Sequence, residues 1–296
     1  MDVSFITGYT IGNFCSAVVF EKLGFNGTFG ISIGLMVSNF LYIYFFIDES
    51  RSVKLKYQEP HISKIFRKVS TDSTTEGGND FCSQLSGIFS SVFMTREGFS
   101  RSITILLIVA MLMFVATGSA DVNYLFTRRM FQWTESEYTK VTTSITVLQT
   151  LASLFLLPAL SYKLGVPDPI LGLVATTSSL MAITGIALSE TPSHFVIACV
   201  CGVMSPQVST VIRSLLSKTV PGADLGKVYT LLGCLEAAIP LAASPLLTVI
   251  YNNSLDTFPG AVYLAEAGFM LVDLVVFIVV ITLFTLHQRR YNAVAQ

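Results

Sequence analysis

The sequence predicts an all-α, polytopic membrane protein, and two observations carry that prediction. Hydrophobic residues fill 52% of the 296 positions and charged residues only 12%, against about 25% charged in an average soluble domain. The apolar residues also gather in eight runs, each near the roughly 17–25 residues that a helix needs to cross a bilayer. An ordinary water-soluble globule is excluded.

The first run covers residues 4–20 and the second 28–47. Gly8, Gly12 and Ser16 recur every four residues in one, and Gly30, Gly34 and Ser38 in the other. Such small faces let helix backbones approach closely, which is packing rather than chemistry. The first run starts almost at Met1 without a basic leader or a small-residue cleavage site, so it is not read as a signal peptide. Its abrupt start is expected to reflect upstream sequence that this chain lacks. Residues 48–101 differ: Lys and Arg are frequent, and STDSTTEGGND at 70–80 is polar, Gly-rich and aperiodic, which predicts a long linker, flexible in the middle. Apolar runs resume at 102–120, 141–161, 169–188, 194–212, 227–250 and 261–286.

Eight spans put both termini on one side, together with the linker, the loop 162–168, the hairpin 213–226 and the tail 287–296. With Lys227, that side holds fourteen Lys and Arg, eight of them in the linker; the opposite side holds Lys22, Arg128, Arg129 and Lys140. Basic loops stay cytoplasmic, so both termini are predicted inside, and without the linker the margin is six to four. The outward loop 121–140 carries Tyr124, Phe126, Phe131, Trp133 and Tyr138, read as an interfacial aromatic belt or, alternatively, a substrate gate. Two glycosylation sequons, Asn26-Gly27-Thr28 and Asn252-Asn253-Ser254, fall on the same side.

Several function classes drop out. Formal net charge is -1 with scattered basic residues, leaving no electrostatic footprint for nucleic acid. The cysteines at 15, 82, 199, 201 and 234 form no CxxC pair, and the histidines at 61, 194 and 287 lie far apart, so neither a disulfide framework, a metal site nor a cofactor is expected. No P-loop, nucleophile elbow or dinucleotide fingerprint occurs, so no enzyme is read.

The chemistry is expected around residues 205–240, where two apolar runs meet at a polar hairpin and each carries one charge, Arg213 and Glu236. An ionised side chain at membrane depth costs about 2.5–3.5 kcal/mol and faces a bundle interior or an aqueous cavity. Glu236 is the first functional candidate, its alternative being a protonated or paired structural group; for Arg213 the alternative is an interfacial anchor. The other ionisable residues in or beside the spans are Asp2, Asp121, Glu266 and Asp273. Acids predominate, which suits proton uptake and release. Glu266 and Asp273 are two turns apart on one face of a helix and are candidates to line a cavity, with local pairing as the alternative. Asp121, near the outer surface, is a weaker cavity candidate. Pro158, Pro206, Pro240 and Pro245 lie in or beside apolar runs, where each removes a backbone hydrogen bond and permits a kink. Kinked helices often line transporter sites.

The segment VIRSLLSKTVPGADLGKVYTLLGC and the following SPLLTVIYNNSLDTFPGAVYLAEAG resemble the tenth to twelfth helices of the proton-coupled folate transporter and its relatives, solute carrier family 46 of the major facilitator superfamily. NYLFTRRMFQWTESEY at 123–138 suggests the arthropod-like version, and the likeness extends from DVSFITGYTIGNF onward. The resemblance implies a major facilitator fold represented by helices five to twelve of twelve. On that reading, 1–47 is the end of the N-terminal half, 48–101 the cytoplasmic linker, 102–286 the six-helix C-terminal half and 287–296 a cytoplasmic tail. It also implies that Arg213 handles the anionic substrate and the proton, and that Asp2 stands where the family has a coupling Glu. Glu236 stands where the folate transporter has Asn, and Ala116 about where it has a His, so substrate and proton relay are expected to differ. SYKLGVPDP at 161–169 is a degenerate copy of the superfamily's basic loop motif.

The resulting expectation is a proton-coupled carrier of folate-like or other organic anions working by alternating access. Arg213 and Glu236 would bind substrate, and Asp2 and Glu236 would couple the proton. The partners are a small organic anion, protons and the lipid bilayer, in the plasma or lysosomal membrane; nothing in the sequence specifies an oligomer. The rival expectation is a non-transporting truncated form, or an incomplete gene product, that binds a membrane partner.

Overall fold

In the computed structural model the described residues are 2–46, 100–118, 122–156, 158–163 and 165–294. Among them every regular element is helical: α1 (Asp2–Phe46), α2 (Ser100–Ala116), α3 (Asn123–Phe131), α4 (Glu135–Leu151), α5 (Asp168–Ala187), α6 (Pro192–Cys201), α7 (Gln207–Thr219), α8 (Gly222–Ser254) and α9 (Ala261–Val294). Residues 48–99 of the predicted linker lie outside the described residues, and its last two, Ser100 and Arg101, open α2.

Among the described residues, five stretches are long and apolar enough to cross a membrane: Asn26–Phe46, Glu135–Ser161, Asp168–Ala187, Asp224–Ser254 and Ala261–Leu286. They correspond to five of the eight predicted runs. Arg101–Ala116 and Pro192–Cys201 are shorter apolar helices. The span expected over 194–212 is two helices, because residues 202–206 form turns between α6 and α7. Pro206 ends that interruption as the residue before α7, where its missing N–H breaks no helical ladder.

The chain divides into two compact units, residues 12–86 and a larger unit of 1–11 with 87–296. In the smaller unit α1 is interrupted at Gly24, whose φ of 62° and ψ of -166° belong to backbone space open in practice to glycine alone. That break falls between the predicted runs 4–20 and 28–47. Beyond it, residues 29–46 are exposed and mostly apolar, the composition of a lipid-facing surface.

The larger unit is built around α9, which packs on α5, α2 and α8; α5 also packs on α6 and α7, and α2 on α7 and α8. Val262, Tyr263, Glu266, Met270, Asp273, Phe277 and Val280 are buried, and their three- and four-residue spacing marks one face of α9. Leu264, Leu271, Val275 and Ile278 on the other faces are exposed and equally apolar, as a helix between protein and lipid requires. One apolar cluster joins Leu107, Ile212, Leu216, Leu232 and Phe277; a second joins Phe126, Phe195, Leu247, Tyr251 and Met270.

Of the aromatics of 121–140, Phe126 belongs to that second cluster and Phe131 and Trp133 pack against it, while Tyr124 and Tyr138 pack on each other. Phe126 meets Tyr263 edge-on at 5.0 Å between centroids, and Trp133 meets Phe195 at 5.6 Å. The prolines act unequally: Pro158 sits between two short π-helical segments, Ala152–Leu156 and Ala159–Lys163, whereas Pro240 and Pro245 lie inside an unbroken α8.

Candidate functional site

On α7, Val208, Val211, Ile212, Leu215 and Leu216 are buried, which turns the helix so that Arg213 lies at the margin of that apolar face. The hairpin 220–221 then reverses the chain into α8, where Glu236 stands opposite. Arg213 Nη2 donates to Glu236 Oε1 at 3.2 Å and to Oε2 at 3.0 Å. The two side chains are 34% and 22% exposed, so the ion pair is half-buried. The Tyr229 hydroxyl, about two turns before Glu236 on α8, donates to the Arg213 carbonyl at 2.7 Å and holds α8 to α7. Two charges predicted as separate candidates are therefore partners across 23 residues of chain.

A second ionic cluster lies nearby and was not anticipated from the sequence. Asp168, in the first turn of α5, accepts from Ser214 Oγ at 2.7 Å and from Lys218 Nζ of the last turn of α7 at 2.5 Å. The signal was present: an acid opening α5 and a lysine closing α7 each complement the helix dipole. Asp168 and Lys218 line a cavity of about 430 Å³ together with Ile170, Leu215, Ile281 and Phe284. On the predicted topology this is the cytoplasmic end of the bundle.

Glu266 and Asp273 are held inside helix packing, 4% and 0% exposed. Glu266 Oε1 accepts the Gly118 amide at 2.9 Å, tying the turn after α2 to α9. Asp2 begins α1, but its side chain lies outside the described residues, as does Asp121. The structure thus joins Arg213 with Glu236, keeps Glu266 and Asp273 in the α9 interfaces, and brings neither of the latter to the Arg213 pair by hydrogen bond or salt bridge among the described residues. Those residues also contain no group of His, Cys, Asp and Glu able to hold a metal ion.

Comparison with known proteins agrees with this architecture. Residues 1–231 match the family model described as Major Facilitator Superfamily. A Drosophila melanogaster protein named "Probable peptidoglycan muropeptide transporter SLC46" is 31% identical over 199 residues, covering 64% of this chain and 38% of that protein. This chain is similar to solute carrier family 46 and spans well under half the length of that relative. With most of its length matched by the family model and its helices apolar enough to lie in a bilayer, the chain is a multi-pass membrane protein belonging to the Major Facilitator Superfamily.

Proposed function

We propose that the chain serves proton-coupled uptake of organic anions by alternating access, with Arg213 and Glu236 as the coupling element. The observation that carries this reading is the half-buried ion pair between α7 and α8. A substrate carboxylate and Glu236 compete for the same guanidinium, whose planar donors match either one. While Glu236 is ionised it occupies Arg213 and an arriving anion is opposed. Protonation removes its charge, frees Arg213, and makes room for the anion. Anion and proton therefore load together, and both leave before the pair re-forms. External acid favours the loaded state, so uptake rises as outside pH falls.

Asp2 is the second coupling acid on this reading, by resemblance to the folate transporter's family. The substrate is a carboxylate-bearing solute. The similar fly protein is named for a muropeptide, whose peptide carries free carboxylates, and folate carries a carboxylate-bearing glutamate. These are the two solutes to compare first.

The test is uptake of labelled folate and of a labelled muropeptide by cells expressing the chain, at acidic and neutral external pH, alongside Glu236→Gln. Wild type should take up at least one of them faster at acidic pH. Glu236→Gln, fixed in the neutral form, should reach the surface and show uptake that no longer responds to pH. Acid stimulation that survives this substitution overturns Glu236 as the coupling acid. Surface expression with no uptake of either solute favours the non-transporting alternative.

A further inference from the structure

The cavity beside Asp168 takes no part in the coupling just proposed, and its walls are of two kinds. Asp168 is the first residue of the membrane-crossing stretch Asp168–Ala187, and Thr285 stands one residue before the end of Ala261–Leu286. The space of about 430 Å³ that they line therefore sits where two spans meet the aqueous boundary, and its volume lies within the range of small-molecule sites. One wall is ionic, made by Lys218 and Asp168. The other is apolar: Leu215 is buried, whereas Ile170 and Phe284 are 41% and 37% exposed. An apolar wall that reaches the surface at the end of a span faces acyl chains.

The polar groups around the cavity are few. The Ser214 hydroxyl and Lys218 Nζ both donate to Asp168 Oδ2, so Oδ1 receives no hydrogen bond among the described residues. Lys218 is 63% exposed and meets one carboxylate oxygen, which leaves ammonium protons for a second acceptor. The opening turn of α5 offers little to an anion: Pro167 and Pro169 have no N–H, and the Ile170 and Leu171 amides both donate to the Pro167 carbonyl. A ligand phosphate is thus met by Lys218, and a net-negative ligand is opposed by Asp168 beside it. A zwitterion escapes that opposition, because its phosphate faces Lys218 while its cation faces Asp168 Oδ1.

We propose that this cavity binds the headgroup of an ethanolamine glycerophospholipid from the surrounding bilayer, with the acyl chains running out past Ile170 and Phe284. The phosphate accepts from Lys218 and the ammonium donates to Asp168 Oδ1. A choline headgroup carries the same charges but has no N–H to donate, and glycerol and serine headgroups are net negative. Neither Arg213 nor Glu236 lines the cavity, so the site stands apart from the coupling mechanism.

Native mass spectrometry tests this on the purified full chain, released from mixed micelles that hold equal amounts of ethanolamine, choline and glycerol phospholipids with identical acyl chains. The ethanolamine lipid should stay bound about tenfold above either competitor, the worth of one charge-assisted hydrogen bond. Asp168→Asn should remove most of that preference and raise the share of the glycerol lipid. Thr285→Trp fills the cavity from an exposed position and leaves both charges in place; it should bring the ethanolamine lipid down to the level of its competitors. Should Asp168→Asn fail to fold, Thr285→Trp carries the test, since the Thr285 hydroxyl bonds to the carbonyl one turn back on its own helix. Equal retention of the three lipids by the wild type, or undiminished ethanolamine-lipid retention in Thr285→Trp, overturns the proposal. So does complete displacement of the lipid by soluble glycerophosphoethanolamine, which would assign the site to a free solute. The readout is bound mass rather than uptake, so its failure is separable from failure of the coupling mechanism.

Discussion

Glu236 and Asp273 are both carboxylates between two helices of the same bundle, yet their surroundings are opposite. Glu236 is 22% exposed and holds a guanidinium; Asp273 is 0% exposed and holds no partner among the described residues. On the proposed coupling, a part-exposed acid with a cation to release is the one that can exchange its proton as part of a cycle. Acidic residues in apolar runs look alike in sequence, and what separates these two is burial and partner.

The largest test of that contrast removes Arg213. Arg213→Ala should abolish uptake of any anionic substrate and also leave Glu236 without its partner. Breaking a fully buried pair costs about 3–5 kcal/mol, and the exposure of this one brings the loss below that range. Adding Glu236→Gln to Arg213→Ala should recover stability but not uptake, a non-additivity characteristic of directly coupled groups. Thermal unfolding in detergent and uptake in cells read the two effects separately. A double-variant effect equal to the sum of the effects of Arg213→Ala and Glu236→Gln alone would show that the pair carries no mutual interaction.

Legibility in the sequence followed the same division. The long apolar runs that became α4, α5, α8 and α9 were visible because lipid demands unbroken length. The interruption at 202–206 was hidden, since Gly202, Val203 and Met204 are as apolar as the helices they separate, and only Pro206 marked it. Arg213 and Glu236 were conspicuous as charges among apolar residues. Their pairing was not, because it depends on how the short hairpin after α7 rotates two helices against each other. Asp168 and Lys218 were missed for the reverse reason: at the edges of apolar runs they read as loop residues, although they tie α5 to α7. The closed state of Asp273 depends on Gly172 and Phe277, about a hundred residues apart in sequence, and no local pattern announces such a contact.

A smaller effect should come from prising that closed interface open. Gly172→Val places a branched side chain against the Phe277 ring, and overpacking of this kind costs about 1–3 kcal/mol. The helices should separate near Asp273, so amide hydrogen exchange should rise in α5 and α9 while the Arg213–Glu236 pair, on other helices, keeps its pH response. Loss of that response in Gly172→Val would show that the two places are coupled through the bundle.

The smallest effect supplies the baseline against which those changes are judged. Thr134 caps α4: its Oγ1 accepts the Glu137 amide at 3.4 Å while Glu137 Oε2 accepts the Thr134 amide at 2.9 Å, closing a reciprocal box. Thr134→Ala removes one half of that exchange and should lower stability by about 1 kcal/mol, the usual cost of an N-cap. The cap touches neither Arg213 nor Glu236, so this loss of stability should leave the acid response of uptake unchanged. Were that response to move with Thr134→Ala, it would be reporting general loosening of the bundle rather than the state of the Arg213–Glu236 pair.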